Sequence, residues 1–396
     1  MYDDRRRLAE RWRRPAYTSH MNSQLRTSAS AAFRRLRDFD WILTVLAVYV
    51  LHHLFVSYFI IGHVVDIVRP FAGIPAYVYN GWDAVLYRNL YNNYDRYNWP
   101  PLYPFALRLV KVVFGLREPN VFEKSALLLN FFSHLVIVGG IARYVRQDSR
   151  LAGVAPWFVA FALFLYPFHN VFFAAYSESF YLALTIIAFL FHQKEKIGFA
   201  GLFAGAASLV RMMGSFLALA FVAEQAFYCI RDRKIYWRKL LLASVGLFIV
   251  LAWHISLKVL GTTAIASNTD WIADLLTNHV PRGANARLWV FQYLAFSPRI
   301  LEVIAFWISV AAIVYCALKK RYAEMFYIAV FNLSLVFYLY RPFGWTRYVS
   351  VLFPIYIMAA DWVRNKPRLA AVILLASAGT CYYVQRTLFQ GQMGEP

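Results

Sequence analysis

A chain of 396 residues that is 60% hydrophobic and only 16% charged, where soluble domains carry roughly 25% charge, has too little polar surface to enclose a water-soluble core. Its 41 Lys and Arg outnumber 21 Asp and Glu, a formal charge of +20. In so apolar a chain that excess points to orientation in a bilayer rather than to a nucleic-acid partner. The three cysteines, Cys229, Cys316 and Cys381, show no CxxC-like spacing and support neither a disulfide framework nor a structural zinc site.

In chain order, residues 1–40 carry ten arginines and five acids without sustained apolar periodicity and are expected to form a flexible basic cytoplasmic arm. The arm lacks the apolar core of a cleavable signal peptide, so the stretch that follows is expected to act as an uncleaved start signal. About eleven stretches then approach the ~20 apolar residues of a spanning helix. They run over 41–63, 123–144, 151–168, 177–192, 197–212, 214–230, 239–260, 302–318, 323–340, 346–363 and 367–385. The expected fold class is an all-α polytopic membrane protein, with a transmembrane domain over 41–388 and a tail at 389–396. With the N-terminus inside, 26 of the 41 basic residues fall in the arm and the inner turns, as retention of Lys and Arg on the cytoplasmic side requires.

That topology leaves two long extracytoplasmic loops, 64–122 and 261–301, and long loops in compact proteins usually carry function. The first reads Tyr79-Asn80-Gly81-Trp82-Asp83, then a Tyr/Asn-rich run, then Trp99-Pro100-Pro101-Leu102-Tyr103-Pro104. An Asp beside a Trp, followed by aromatic and amide side chains, suits a positioned carboxylate on a sugar-binding surface; a solvated acid beside an interfacial aromatic belt is the plainer alternative. Pro104 to Gly115, carrying Arg108 and Lys111, is too short and charged to span and is expected to lie in the interface as a helix.

Ionisable residues at the ends of spans seldom persist without a partner. Glu178 in Tyr176-Ser177-Glu178-Ser179, Arg211 in Leu209-Val210-Arg211-Met212-Met213-Gly214, and Arg347 in Gly344-Trp345-Thr346-Arg347-Tyr348 all fall at outer helix ends. Arginines with a nearby Tyr348 suit a phosphate at the membrane surface, whereas Arg211 with Glu178 also suits a structural pair locking two helices. Arg341 reads either as a second phosphate contact or as a snorkelling residue. No Walker loop, GxGxxG, GxSxG or HExxH occurs, so nucleotide, serine-hydrolase and zinc-protease chemistry lack support.

The order of these motifs, Trp-Asp then Pro-Leu-Tyr-Pro in the first outer loop, Tyr-Ser-Glu-Ser opening a helix, Arg-x-x-Gly ending another, and Arg-Tyr with Phe353-Pro354 shortly after, resembles the PIG-V-like mannosyltransferases of the GT-C superfamily. The likeness covers nearly all of the chain after residue 40. It implies a polyprenyl-phosphate sugar donor of the dolichyl-phosphate-mannose type, used on the outer or lumenal face without a nucleotide, cofactor or obligatory metal. Matched residue by residue, it implies that Asp83 is the catalytic base with the substrate-binding Trp82 its neighbour, that Glu178, the glutamate of the Ser-Glu-Ser motif, is a second catalytic residue, and that Arg211 and Arg347 are the two helix-end arginines that bind substrate. Leu86 stands where the family commonly has His, and Trp99-Pro100-Pro101 replaces a Phe-Phe-Pro. These departures leave the acceptor open among lipid-linked and protein-linked glycans. The expected partners are the lipid-linked donor, a glycan or glycolipid acceptor and membrane lipids, with the protein multi-pass in a prokaryotic plasma membrane, or in the endoplasmic reticulum if eukaryotic. A lipid or glycolipid translocator using Glu178, Arg211 and Arg347 as a headgroup path is the competing class, and a polytopic scaffold with no ligand is a third.

Overall fold

The computed structural model describes residues 83–92, 100–118, 120–166, 170–259, 300–338 and 345–389. The basic arm, the 41–63 span, Trp82, Arg341 and nearly all of the 261–301 loop lie outside the described residues, and nothing is said of the Asp83 side chain. Every regular element described is helical. They are α1 (Asp83–Asn92), α2 (Leu102–Val113), α3 (Val121–Gln147), α4 (Pro156–Phe164), α5 (Asn170–Phe173), α6 (Glu178–Gln193), α7 (Ile197–Val210), α8 (Gly214–Arg231), α9 (Trp237–Ala243), α10 (Val245–Val259), α11 (Ile300–Leu318), α12 (Tyr322–Tyr338), α13 (Trp345–Val349), α14 (Phe353–Val363) and α15 (Pro367–Phe389).

Helix thus occupies each expected segment from 123 onward, and α2 forms where an interfacial helix was expected, with Leu107 buried and Leu109 and Val112 exposed. Among the described residues, Val121–Gln147 and Leu301–Leu318 are long and apolar enough to cross a membrane alone, and Trp237–Ala243 with Val245–Ser256 makes a third crossing if that pair, bent by 46°, counts as one. The remaining apolar helices are shorter, and several expected spans are broken. Among its described residues, the stretch 151–168 holds one α-helix, the nine residues of α4, opened by Pro156 in its first turn. The stretch 346–363 splits into α13 and α14, with Pro354 in the first turn of α14, where a missing N–H is harmless. The 239–260 stretch bends between Ser244 and Gly246, small residues of the kind that mark helix kinks. The Asp83 region, expected as loop, is the start of a ten-residue helix.

The core is centred on α6, which packs against α3 and α7; α8 pairs with α12, α7 with α10, and α14 with α4. Phe189 of α6 is fully buried, with ring centroids 5.3 Å from Phe221, 5.7 Å from Tyr327, 5.1 Å from Phe353 and 6.2 Å from Tyr144. Four helices therefore meet on one ring through edge-to-face and tilted contacts. On the outside, Phe199, Leu251, Leu333 and Leu375 are more than half exposed or close to three-quarters exposed. Helices apolar on all faces are those of a membrane-associated bundle.

Small residues set the closest approach. A Cβ added at Gly246 would stand 2.7 Å from the Gly201 carbonyl oxygen, and one at Gly201 2.8 Å from that of Leu242. The backbones of α7, α9 and α10 are thus in direct contact, the small-residue packing that replaces hydrophobic drive within lipid.

Charged side chains gather at the two ends of the bundle. At the end holding the C-termini of α3, α6, α8 and α11, the Tyr144 hydroxyl donates to Glu324, while Arg321 Nη2 donates to Glu324 Oε1 at 2.7 Å and to the Tyr144 oxygen at 3.1 Å. Arg150 pairs with Asp148 at 2.8 Å and reaches the Lys320 carbonyl at 2.9 Å. Lys319 and Arg364 each lie 3.3 Å from Asp361. Burial pushes the Asp148 carboxyl up, but the Arg150 side-chain and backbone hydrogen bonds and the nearby Arg321 charge outweigh it and hold the group below its ordinary value.

Two outcomes follow from this packing. Gly246→Leu cannot be accommodated against a backbone carbonyl and is expected to destabilise by about 3 kcal/mol or more, read as a lowered unfolding midpoint of the detergent-solubilised protein. Because the folded Asp148 titrates below its unfolded value of ~3.9, its contribution is present above that pH and lost as pH falls through the folded value. Asp148→Asn should therefore lower thermal stability at pH 7, with the difference from the parent shrinking as pH falls below ~3.9 toward the folded value, in paired melting curves.

Candidate functional site

Glu178 is the first residue of α6 and is almost completely buried. A carboxylate so placed must be paired, and two helices supply arginines to it. Arg347 of α13 donates through Nε to Oε1 at 2.8 Å, and its Nη2 lies 2.7 Å from the same oxygen. Arg211, the residue that ends α7 in extended conformation, places Nη1 2.9 Å from Oε2. The second contact is ionic and off the hydrogen-bonding direction of that oxygen. Arg211 Nη1 also donates to Ser177 Oγ at 3.1 Å, and the Arg347 guanidinium stands 4.8 Å above the Tyr176 ring.

The site is tied to α1 through the same motif. Tyr87 hydroxyl and Ser177 Oγ are 2.7 Å apart, so Tyr87, Ser177, Arg211, Glu178 and Arg347 form one chain of contacts across α1, α6, α7 and α13. Positions 83 and 87 are four residues apart and share a face of α1. Two further contacts fix that helix. Arg88 pairs with the buried Glu123 of α3, and Arg108 of α2 donates to the carbonyls of Tyr91 at 2.8 Å and Leu90 at 3.2 Å, satisfying the open C-terminal end of α1.

The short helix that carries Arg347 is anchored by Glu302 of α11, whose Oε2 accepts the Thr346 backbone N–H at 2.7 Å. A carboxylate at the N-terminus of so short a helix both caps it and offsets its dipole. Tyr103 of α2 stacks edge-on against Tyr87, with centroids 4.7 Å apart. Burial pushes the Tyr103 phenol well above its ordinary value, reinforced by the charges of Tyr87 and Glu178, so it is a hydroxyl donor at any physiological pH. Its oxygen and Thr346 Oγ1 are buried polar atoms with no hydrogen-bond partner among the described residues.

Of the residues singled out in the sequence, Glu178, Arg211 and Arg347 come together in direct contact. Asp83 opens the helix joined to them, and Tyr348 is partly buried beside Arg347. Tyr87, Ser177, Arg108, Glu302 and Tyr103 were not singled out for this site. The 83/87 helical spacing is a signal for Tyr87 once α1 is known to be a helix, whereas Glu302 and Arg347 are brought together only by tertiary folding. No group of three or more His, Cys, Asp and Glu that could hold a metal ion occurs among the described residues. No family model, curated protein or solved structure matches the chain.

Chemically, the arrangement is a pair of guanidinium groups held in fixed orientation by one carboxylate, with hydroxyls nearby. Removing that carboxylate leaves one buried and one partly buried cation without their shared counter-ion. Glu178→Ala is therefore expected to destabilise by about 3–5 kcal/mol, and Arg211→Lys by less, in unfolding measurements on the solubilised protein. Near-parental stability of Glu178→Ala would show that other groups carry the two arginines.

Proposed function

We propose that the protein is a multi-pass membrane glycosyltransferase that moves a hexose, mannose on the strength of the motif resemblance, from a polyprenyl-phosphate donor to a lipid- or protein-linked glycan on the extracytoplasmic face. The observation that carries this reading is the meeting of Glu178, Arg211 and Arg347 beside the helix that Asp83 opens, joined through Tyr87 and Ser177. Arginine offers paired donors that fit phosphate oxygens. The double pairing of Glu178 supports for it the part of a positioning residue that aims both arginines, alongside the catalytic assignment from its motif.

In the proposed reaction the Asp83 carboxylate takes the proton from an acceptor hydroxyl. The oxygen attacks C1 of the sugar as the C1–O bond to phosphate breaks, inverting the anomeric centre. The electron pair leaves on the polyprenyl phosphate, whose developing charge Arg347 and Arg211 would stabilise, with the Tyr103 hydroxyl in reach of this region as a further donor. The leaving group departs as a phosphoester anion, so the step balances without an added acid.

The translocator reading requires a polar route between the two ends of the bundle. The apolar packing of Phe189, Phe221 and Phe353 between those ends favours the enzyme. Reconstituted protein incubated with labelled polyprenyl-phosphate mannose tests both readings. Sugar transfer is expected, reduced by about 10²–10⁴ in Asp83→Asn with the folded protein yield unchanged. Near-parental transfer in that variant would overturn the assignment of the base, and movement of intact lipid between leaflets without transfer would replace the enzyme with the translocator.

A further inference from the structure

At the end of the bundle opposite Glu178, the chain passes from α8 to α9 through Arg231-Asp232-Arg233-Lys234-Ile235-Tyr236-Trp237-Arg238-Lys239. Five bases stand here against one acid, and every side chain in the run is exposed except Tyr236, which is half-buried.

The turn has two sides. Arg231, Asp232, Tyr236 and Lys239 line a half-open cavity among the ends of α3, α6 and α8 and the start of α12. On that side the bases are matched, Arg231 pairing with Asp232 at 2.7 Å and Lys239 lying 3.8 Å from Glu195. Arg233, Lys234, Ile235, Trp237 and Arg238 are not in the cavity wall. Among the described residues, no carboxylate lies within ion-pair distance of Arg233, Lys234 or Arg238, and Lys234 Nζ stands 5.6 Å from the centre of the Tyr236 ring. Apolar side chains are laid open beside these cations: Ile230 and Trp237 are two-thirds exposed or more, and Ile235 more than half.

What adjoins this side identifies its surroundings. From the turn, α9 and α10 run along the edge of the bundle, packed on α7 and α8. Leu241 of α9 and Phe248, Leu251 and Ile255 of α10 are each more than half exposed, and positions 248, 251 and 255 share one helix face. A bare apolar face of that length belongs against acyl chains. Where it ends stands Trp237, and tryptophan gathers at the headgroup level of membranes. Arg238, Lys234 and Arg233 are its neighbours in the turn. Basic side chains at that level attract anionic headgroups, while their aliphatic stems lie along apolar surface. A soluble acidic partner would answer the charge but not the continuity of Trp237 with the acyl-facing side of α10.

We propose that the α8–α9 turn is a docking surface for anionic phospholipid, with Arg233, Lys234 and Arg238 on the headgroups and Ile230, Ile235 and Trp237 set into the boundary with the acyl chains. The proposal does not depend on the transferase reading.

The full-length protein in detergent tests this. It is titrated with an equimolar mixture of phosphatidylglycerol and phosphatidylcholine, and bound lipid is counted by native mass spectrometry. Preferential retention of phosphatidylglycerol is expected. A base near an anionic surface is worth about fivefold in binding, so Arg233→Gln/Arg238→Gln should weaken phosphatidylglycerol retention about tenfold or more. Lys194→Gln/Lys196→Gln removes the same charge from exposed positions in the turn between α6 and α7 and should leave retention close to parental. Trp237→Ala, at unchanged charge, should also weaken retention. Equal retention of the two lipids, or equal losses in the two double variants, would overturn the proposal. So would retention indifferent to Trp237→Ala with soluble poly-glutamate bound equally by parent and variant, which would make the turn a site for an acidic protein.

Discussion

A carboxylate removed from water must find positive charge, and in this protein that requirement draws three helices to one point. Glu178 has almost no exposed surface, and Arg211 and Arg347 each engage one of its two carboxylate oxygens. The contacts around it follow from that constraint. Ser177 steadies one arginine and ties in α1 through Tyr87, the Tyr176 ring backs the other arginine, and Glu302 holds the short helix on which Arg347 sits. Such a network is sensitive to loss of any single member, because the low dielectric that strengthens each contact also penalises each orphan.

The far end of the bundle obeys the same rule with a different result. There the charges are more numerous and closer to water, and most are distributed in pairs along the turns. Lys319 with Asp361, and Arg150, itself held by Asp148, with the Lys320 carbonyl, stitch helix ends that are distant in sequence. These turns hold most of the basic excess seen in the composition. Many of those residues therefore carry defined contacts in addition to any part in orienting the chain.

How much of this was legible beforehand depended on the range of the interaction responsible. Apolar runs report helix directly, so every expected segment from 123 onward contains helix, and the Pro104–Gly115 stretch forms α2. Breaks within runs were harder to see. Pro354 and the Ser244–Gly246 bend interrupt stretches whose hydropathy is continuous, and hydropathy does not register backbone geometry. At the site, Glu178, Arg211 and Arg347 stood out because charge at the end of an apolar helix is conspicuous. Tyr87 and Glu302 did not stand out: a tyrosine among many tyrosines, and an acid at a helix start, acquire meaning only from partners 90 and 44 residues away. The Asp83 region reads as loop because its tyrosines and asparagines weaken the helical pattern, while Glu123, pairing with Arg88, and Arg108, on the Tyr91 and Leu90 carbonyls, stabilise the helix from outside.

The Phe189 hub has a further consequence for the bundle. Glu178 and His192 stand about 21 Å apart along α6, and two unit charges that far apart interact by less than about 1 kcal/mol at an effective dielectric of 20. Protonation or ligand charge at one end is thus nearly silent at the other. What joins the two ends is packing: α6 touches both, and Phe189, three residues before His192, seats it against α3, α8, α12 and α14.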